Sequence, residues 1–262
     1  MARRANALQS IRQGIDDAPL LVLDAGNALL GYGTSYEQGG ALTREAMDLM
    51  GYDAMAVGGV DLELGVAHLR SVADEAGFAV LSANLVSRDT GLPPFSPYVI
   101  IQRAGVRVGI LGLTEDTALD QAPDAESYEV LAYDATLAAY IDDVASQSDL
   151  VVLLSHVGLQ DDKLLAETYD AIDVVIGGRN ARRLLAPESV NGTPIVQLGA
   201  RGEDLGRLEI ALDGDNRPIA SRWQVIALGP EFADDPEVAS LVHRYRVAAQ
   251  SPTSSTEAEA AD

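Results

Sequence analysis

The sequence predicts an α/β fold with a ligand site at the carboxyl ends of its strands. Four short apolar segments, at 21–24, 54–57, 151–154 and 174–176, each run into a loop of small and polar residues. In an open α/β sheet, ligands bind at the carboxyl ends of strands, because helix amino-termini and loop amides converge there. The four loops therefore predict one shared site.

The amino-terminal half is predicted to contain three helices. Leu8 and Ile11, at i, i+3 spacing, indicate a helix over the first eleven residues. A second helix spans 39–50 and ends at Gly51, which suits a left-handed cap. The elements that follow are a strand at 54–57, a helix at 65–76, a strand at 78–82, and a hairpin of 99–102 with 106–113.

The carboxyl-terminal half begins with an acidic stretch, 114–133, which contains Pro123 and predicts a surface excursion with little regular structure. The turn at 213–216 is a strong hairpin signal and joins two strands that, together with the strand at 195–198, are expected to finish a second sheet. The other elements are a helix at 135–145, a strand at 149–154, a helix opened by Asp161 and Asp162, strands at 195–198, 205–212 and 219–226, and a helix at 236–249. Residues 250–262 are small, polar and acidic, which predicts a disordered tail.

Composition excludes several classes of function. The chain has 262 residues, 47% of them hydrophobic, which is enough for one sizeable core. Its formal net charge is −22, with 40 acidic and 18 basic residues, which opposes binding to nucleic acids and to anionic membranes. Cysteine is absent, so disulfides and thiolate metal sites are excluded. The first residues are basic, but no apolar segment of a signal peptide follows them.

The four loops at the strand ends carry short sequence motifs. They read Asp-Ala-Gly-Asn at 24–27, a glycine-rich loop at 58–65, Ser-His at 155–156 and Gly-Gly-Arg-Asn-Ala at 177–181. With the segments 81–84, 95–98 and 191–197, they resemble the metallophosphoesterase (calcineurin-like) domain of the 5'-nucleotidase family. The resemblance implies a four-layer α/β/β/α sandwich with mixed sheets. One such domain is expected over 1–249, with no carboxy-terminal nucleotide-binding domain.

The same resemblance implies a centre of two metal ions, held by Asp, Asn and His, that activates water and clamps a phosphoryl group. At family site positions this chain has Asn27 for Asp, Gly59 for Asn, Val60 for His, and Arg179 and Ala181 for two His. The family's opening Asp-x-His motif has no counterpart. His156 is unchanged, but one imidazole cannot assemble a two-metal site. No cofactor is therefore expected, or at most a weakly bound divalent metal (Mn, Zn or Mg) at His156 and Asn27.

The other candidate residues lie at or beside positions where this chain differs from the family's site residues. Arg179, Asn180 and Arg182 are candidates for binding an anion at the old phosphate position, since a guanidinium suits phosphate or carboxylate. Alternatively, Arg179 balances Asp24 or Asp61, or these arginines form a solvated cluster. Asp61 and Glu63 occupy the family's Glu and final Asp positions, where they are candidates to support the site. His156 contacts a metal or an anion, or is a polar loop histidine that packs.

Two functions follow from this pattern. The ligand count favours a degenerate domain without phosphoester hydrolase activity, retained as a binding or assembly module. The alternative is an active metal-dependent phosphoesterase or 5'-nucleotidase with a rebuilt site. Expected partners are a small anion or nucleotide in the former cleft, a protein partner or a second copy, with no nucleic acid and no membrane. The chain as it stands suggests a cytoplasmic protein, although the family is commonly exported.

Overall fold

The computed structural model describes residues 1–15, 19–31 and 33–250, the side chain of residue 250 excepted. The helices in these ranges are α1 (Ala2–Gln13), α2 (Thr34–Glu37), α3 (Ala41–Met50), α4 (Val66–Asp74), α5 (Tyr133–Gln147), α6 (Leu159–Thr168) and α7 (Pro236–Gln250). The strands are β1 (Leu23–Asp24), β2 (Ala54–Ala56), β3 (Ala79–Leu81), β4 (Leu85–Ser87), β5 (Tyr98–Arg103), β6 (Val106–Leu113), β7 (Tyr128–Val130), β8 (Leu150–Ser155), β9 (Val174–Gly177), β10 (Glu188–Val190), β11 (Thr193–Gln197), β12 (Asp204–Leu212) and β13 (Pro218–Ala227). The predicted tail lies, beyond residue 250, outside the described residues.

The first sheet is parallel and has the strand order β1-β2-β3. Successive residues of β2 and the loop after it pack on opposite faces. Met55 and Val57 belong to a buried cluster with residues of α1, α3, α4 and α7. Ala54 and Ala56 belong to a different cluster, shared with the second sheet. The period of two thus places helices on one face and a sheet on the other.

The second sheet is mixed and has the strand order β10-β11-β9-β8-β6-β5. Its four central strands are parallel, and β5 and β10 pair antiparallel at the two edges. Leu111 and Leu153 pack with residues of α5 and α6, whereas Ile110 and Val152 pack between the sheets. The layers are therefore helix, sheet, sheet and helix. The predicted four-layer sandwich is confirmed.

A glycine in β6 brings the two sheets close together near the site. A Cβ at Gly112 would lie 2.5 Å from the Cβ and the carbonyl oxygen of Leu81, so only glycine fits there. The Gly112 carbonyl accepts the N–H of Ala83 at 2.8 Å. The close approach joins the segment after β3 to the end of β6. It draws the carboxyl ends of both sheets to one side of the molecule.

Two sequence predictions about the fold were wrong. Of the three strands expected to finish the second sheet, β11 belongs to it, but β12 and β13 pair with each other as a separate two-stranded sheet. Leu208 and Ile210 of this hairpin still pack against the core between the sheets. The stretch 114–133 is not simply a surface excursion, because β7 pairs with β4 and Glu115 is only 7% exposed. No helix among the described residues is long and apolar enough to cross a membrane.

Candidate functional site

The carboxyl ends of β1 and β8 meet, and a hydrogen bond between them orients His156. The Nδ1 atom of His156 lies 2.6 Å from the carbonyl oxygen of Ala25, which requires Nδ1 to carry the proton. This tautomer leaves a lone pair on Nε2. His156 is 2% exposed, and burial lowers its pKa, which favours the neutral imidazole.

Two glycines make room for this imidazole. A Cβ at Gly26 would lie 2.8 Å from the Nδ1 atom of His156, and a Cβ at Gly178 would lie 2.6 Å from it. Both distances are too short for an ordinary contact between heavy atoms. Gly26 also has φ +104°, a conformation that residues with a Cβ rarely adopt. The glycines at the ends of β1 and β9 are thus required by the packing of His156.

Asp61 joins the loop after β1 to the loop after β2. Its carboxylate accepts the backbone N–H groups of Asn27, Leu29 and Gly58, at 2.8, 2.9 and 3.1 Å. Burial raises the pKa of Asp61 to about 6, against these three donors, which lower it. In return, the Oδ1 atom of Asn27 accepts the N–H of Val60 at 2.8 Å. The amide oxygen expected to bind metal therefore has a protein donor.

Glu115, directly after β6, is a site residue that the sequence interpretation missed. Its Oε1 atom accepts the N–H of Gly59 at 3.0 Å. Its Oε2 atom lies 3.9 Å from the Nε2 atom of His156, and neither atom has a hydrogen-bond partner within the described residues. Burial raises the pKa of the Glu115 carboxyl, since a charge so far from water is disfavoured. Two unpartnered acceptors therefore face each other at the centre of the site.

Arg179, after β9, is bound to the loop that carries Glu115. Its Nη1 atom lies 3.1 Å from Oδ1 of Asp116 and donates to the carbonyl oxygen of Val157 at 3.1 Å. Its Nη2 atom donates to Oγ1 of Thr117 at 3.0 Å. Arg179 therefore pairs with Asp116, and not with Asp24 or Asp61 as one sequence hypothesis held.

The remaining candidates lie apart from one another. Oδ1 of Asn180 accepts the first N–H of α6 at 2.6 Å. Arg182 reaches towards Glu188, at 3.8 Å, and its side chain is 61% exposed. The three residues predicted to bind an anion thus have three different protein partners, and anion binding stays a prediction. Glu63 is half-buried, and its carboxylate makes no hydrogen bond or ion pair in the part of the chain that the structure describes.

Asp24 faces a cation that comes from the first helix. The Nη1 atom of Arg4 donates to the Tyr52 hydroxyl at 3.1 Å, and Nη2 donates to the carbonyl oxygen of Gly202 at 3.4 Å. Burial raises the pKa of Asp24, while the charge of Arg4 and the N–H of Gly26 lower it. Arg4 is a residue that the helical pattern alone did not single out.

The chain is similar along most of its length to 5'-nucleotidases. It is 28% identical over 279 residues to the 5'-nucleotidase of Bos taurus, across 94% of this chain and 47% of that protein. The fold matches a 5'-nucleotidase precursor of Thermus thermophilus with a TM-score of 0.83 and 25% identity, across 95% of this chain and 53% of that one. The metallophosphoesterase domain of the 5'-nucleotidase family fits this chain.

A further solved structure supports the fold of this metallophosphoesterase domain. The sulfate thiohydrolase SoxB of Thermus thermophilus, in complex with glycerol, matches with a TM-score of 0.87 and 24% identity, across 95% of this chain and 47% of that one. No family profile matches the chain. The predicted resemblance is confirmed, and the chain spans about half the length of the curated relatives it matches.

The residues present do not fit the two-metal centre implied by the metallophosphoesterase resemblance. Among the described residues, no group of three or more His, Asp or Glu side chains is placed to hold a metal ion. The Oδ1 atom of Asn27 is hydrogen-bonded to Val60. The guanidinium of Arg179 stands where the resemblance places a neutral imidazole, and a permanent cation there repels a divalent ion. Within the described part of the chain, His156 and Glu115 alone offer free, buried acceptor atoms at this place.

Proposed function

We propose that this domain keeps the metallophosphoesterase fold as a binding or assembly module and does not hydrolyse phosphate esters. In this proposal residues 1–249 form one domain. One observation carries it: the loop 115–118 packs on the positions where the resemblance places ligands. Glu115 accepts the N–H of Gly59, and Arg179 binds Asp116 and Thr117.

The packing of this loop leaves little room for a side chain at position 59. A Cβ at Gly59 would lie 2.7 Å from Oε1 of Glu115 and 3.3 Å from Cα of Ala118. The asparagine that the family has at this position would therefore require the Glu115 carboxylate to move away from residue 59. Gly59 and Arg179, which stand where the family has metal ligands, support one local structure. In that structure hydrogen bonds between protein groups take the place of bonds to metal.

The unpartnered atoms of His156 and Glu115 favour a second candidate, an active phosphoesterase. Nε2 of His156 and Oε2 of Glu115 are buried, face each other at 3.9 Å and would be the protein atoms that hold a single divalent ion. Such an ion would make the domain a metal-dependent phosphoesterase acting on nucleotides or other phosphate monoesters. Two protein ligands are fewer than catalytic zinc sites use, which is three.

Metal content and hydrolysis together test the proposal. Purified protein, with and without added manganese and zinc, is analysed for bound metal and assayed with nucleotides and a generic phosphate monoester. The proposed module without hydrolase activity (the silent module) predicts far less than one metal ion per chain and no hydrolysis above a no-enzyme control. The matched variants are His156→Ala, Glu115→Gln and His243→Ala, since His243 lies exposed on α7.

The active phosphoesterase predicts a different result. Near-stoichiometric metal that disappears in His156→Ala and Glu115→Gln but persists in His243→Ala would establish a rebuilt site. If metal-dependent nucleotide hydrolysis then followed the same pattern, the silent module would be overturned.

A further inference from the structure

An open groove lies beside the loop that covers the former cleft. It has a volume of about 710 Å³ and lies between the segment 130–134 and helix α6. Val130, Leu131, Leu164 and Leu165 form its apolar lining. The side chains of Leu131 and Leu164 are unusually accessible for leucines, at 40% and 58% exposure. Such concave apolar surface is a feature of binding sites.

The rim of this groove is acidic. Asp116, Asp134 and Asp161 stand around the apolar lining. Asp116 pairs with Arg179, but Asp134 and Asp161 pair with no basic side chain within the described residues. The rim therefore carries a negative potential that attracts cations and repels phosphate-bearing ligands.

We propose that the groove binds an amphipathic segment of a protein partner. Apolar side chains of that segment enter the groove, and its Lys or Arg side chains contact the acidic rim. A second copy of this chain is a poor occupant, because a surface with 40 acidic and 18 basic residues repels an acidic rim. The inference deepens the proposed module function by naming its surface, and the groove itself needs no assumption about hydrolysis.

The groove is physically joined to the loop 115–118. The hydroxyl of Tyr133, in the groove wall, accepts the N–H of Asp116 at 2.8 Å. The carboxylate of Asp116 is also shared, because it lines the groove and binds Arg179. A partner cation at the rim competes with Arg179 for this carboxylate. Binding in the groove therefore changes the hydrogen-exchange protection of residues 115–118.

The test uses a synthetic, fluorescently labelled helical peptide in which leucines occupy one face and lysines the other. Its affinity is measured by fluorescence anisotropy for the wild type, Leu164→Gln and Leu185→Gln. Both leucines are exposed, at 58% and 70%, but only Leu164 lines the groove, so both variants are expected to fold. We expect Leu164→Gln to weaken binding about tenfold and Leu185→Gln to leave it unchanged.

Rim and peptide controls complete the experiment. Asp161→Asn should weaken binding more than Asp170→Asn, which is exposed and outside the groove. A control peptide with serine for leucine, and the same lysines, should bind far more weakly. Equal affinity of Leu164→Gln and Leu185→Gln, or equal binding of both peptides, would overturn the proposal.

The result separates the two proposals. If the protein binds the peptide and also hydrolyses nucleotides, only the proposal of a silent module is contradicted. If the protein neither hydrolyses nucleotides nor binds the peptide, only the proposal of a peptide-binding groove is contradicted.

Discussion

The guanidinium of Arg179 lies 3.1 Å from the carboxylate of Asp116 and joins the end of β9 to the loop after β6. This pair is partly exposed, with side-chain exposures of 33% and 70%, so its ion-pair contribution to stability is modest. The same guanidinium also donates to Thr117 and Val157. Arg179 therefore acts mainly by fixing the position of one loop over the site.

Arg179→Ala should loosen that loop with little effect elsewhere. We expect faster hydrogen exchange over residues 115–118 and a loss of about 1 kcal/mol in the free energy of unfolding. Arg182→Ala is the matched control, since Arg182 is 61% exposed and 3.8 Å from its partner Glu188. Equal exchange rates at 115–118 in the two variants would show that Arg179 does not hold the loop.

Gly59→Ala should destabilise the protein by overpacking. Its new Cβ would lie 2.7 Å from Oε1 of Glu115, and we expect a loss of about 1–3 kcal/mol in a denaturant titration. Gly199→Ala is the control, because the nearest atoms to its Cβ lie at 3.8 and 3.9 Å. Adding Glu115→Ala to Gly59→Ala should restore part of the lost stability. If Gly59→Ala unfolds like Gly199→Ala, the loop does not pack on Gly59 as the structure has it.

Asp162 should make stability fall as pH rises. It is fully buried, accepts the hydroxyl of Ser155 and has a pKa raised by burial from 3.8 to about 7. The folded state therefore holds a proton that the unfolded state releases above about pH 4. The stabilising contribution is complete below pH 4, decreases between about pH 4 and 7, and is lost above that, by on the order of 4 kcal/mol.

Asp162→Asn removes this titration while keeping an acceptor for Ser155. Its unfolding free energy should decline less steeply than that of the wild type between about pH 4 and 7. Asp161→Asn, in the same helical turn, should keep most of the wild-type slope, since the charge of Asp161 is the smaller cause of the raised pKa of Asp162. The measurement is a series of denaturant titrations across this pH range. A parallel decline in Asp162→Asn and the wild type would contradict the assignment.

Arg4 should contribute far more to the free energy of unfolding than its neighbour Arg3. Arg4→Met leaves Tyr52 and Asp24 without their cation, and we expect a loss of about 1.5–3 kcal/mol. Arg3→Met should change stability by less than about 0.5 kcal/mol, because Arg3 is 49% exposed and 3.9 Å from Asp234.

A double variant tests the role of Asp24 in this effect. Asp24→Asn should partly rescue Arg4→Met, since it removes the buried charge that Arg4 compensates. The rescue is measured as a coupling free energy in a double-mutant cycle. Strict additivity of the two changes would show that Arg4 and Asp24 do not interact.

The local elements were largely predictable from sequence, because they depend on short-range patterns. The helix ending at Gly51 is present, and Gly51 has the left-handed conformation of a cap, with φ 66°. The predicted hairpin of 99–102 with 106–113 is present as β5–β6 and turns at Ala104 and Gly105, which both have positive φ. The loop after β1 is also fixed locally, since the Asp24 carboxylate accepts the N–H of Gly26 at 3.0 Å.

The missed site residue shows where pattern reading failed. Glu115 follows the apolar strand β6 directly, as the other site residues follow theirs, but the acidic residues after it favoured a surface loop. Its burial depends on contacts with Gly59 and His156, which are 56 and 41 positions away in sequence. No local pattern reports such contacts.

The sequence by itself determined the α/β class and most of the local elements, because apolar patterns specify which faces are buried and glycines specify where elements end. The four-layer arrangement was implied by the family resemblance. It also predicted a candidate site at the carboxyl ends of β1, β2, β8 and β9, and the structure brings His156, Asp61 and Gly59 together there. Only the tertiary structure decided which charges meet there. Arg179 pairs with Asp116, and the charge of Arg4 lowers the pKa of Asp24, because long side chains place their charges near groups that are distant in sequence.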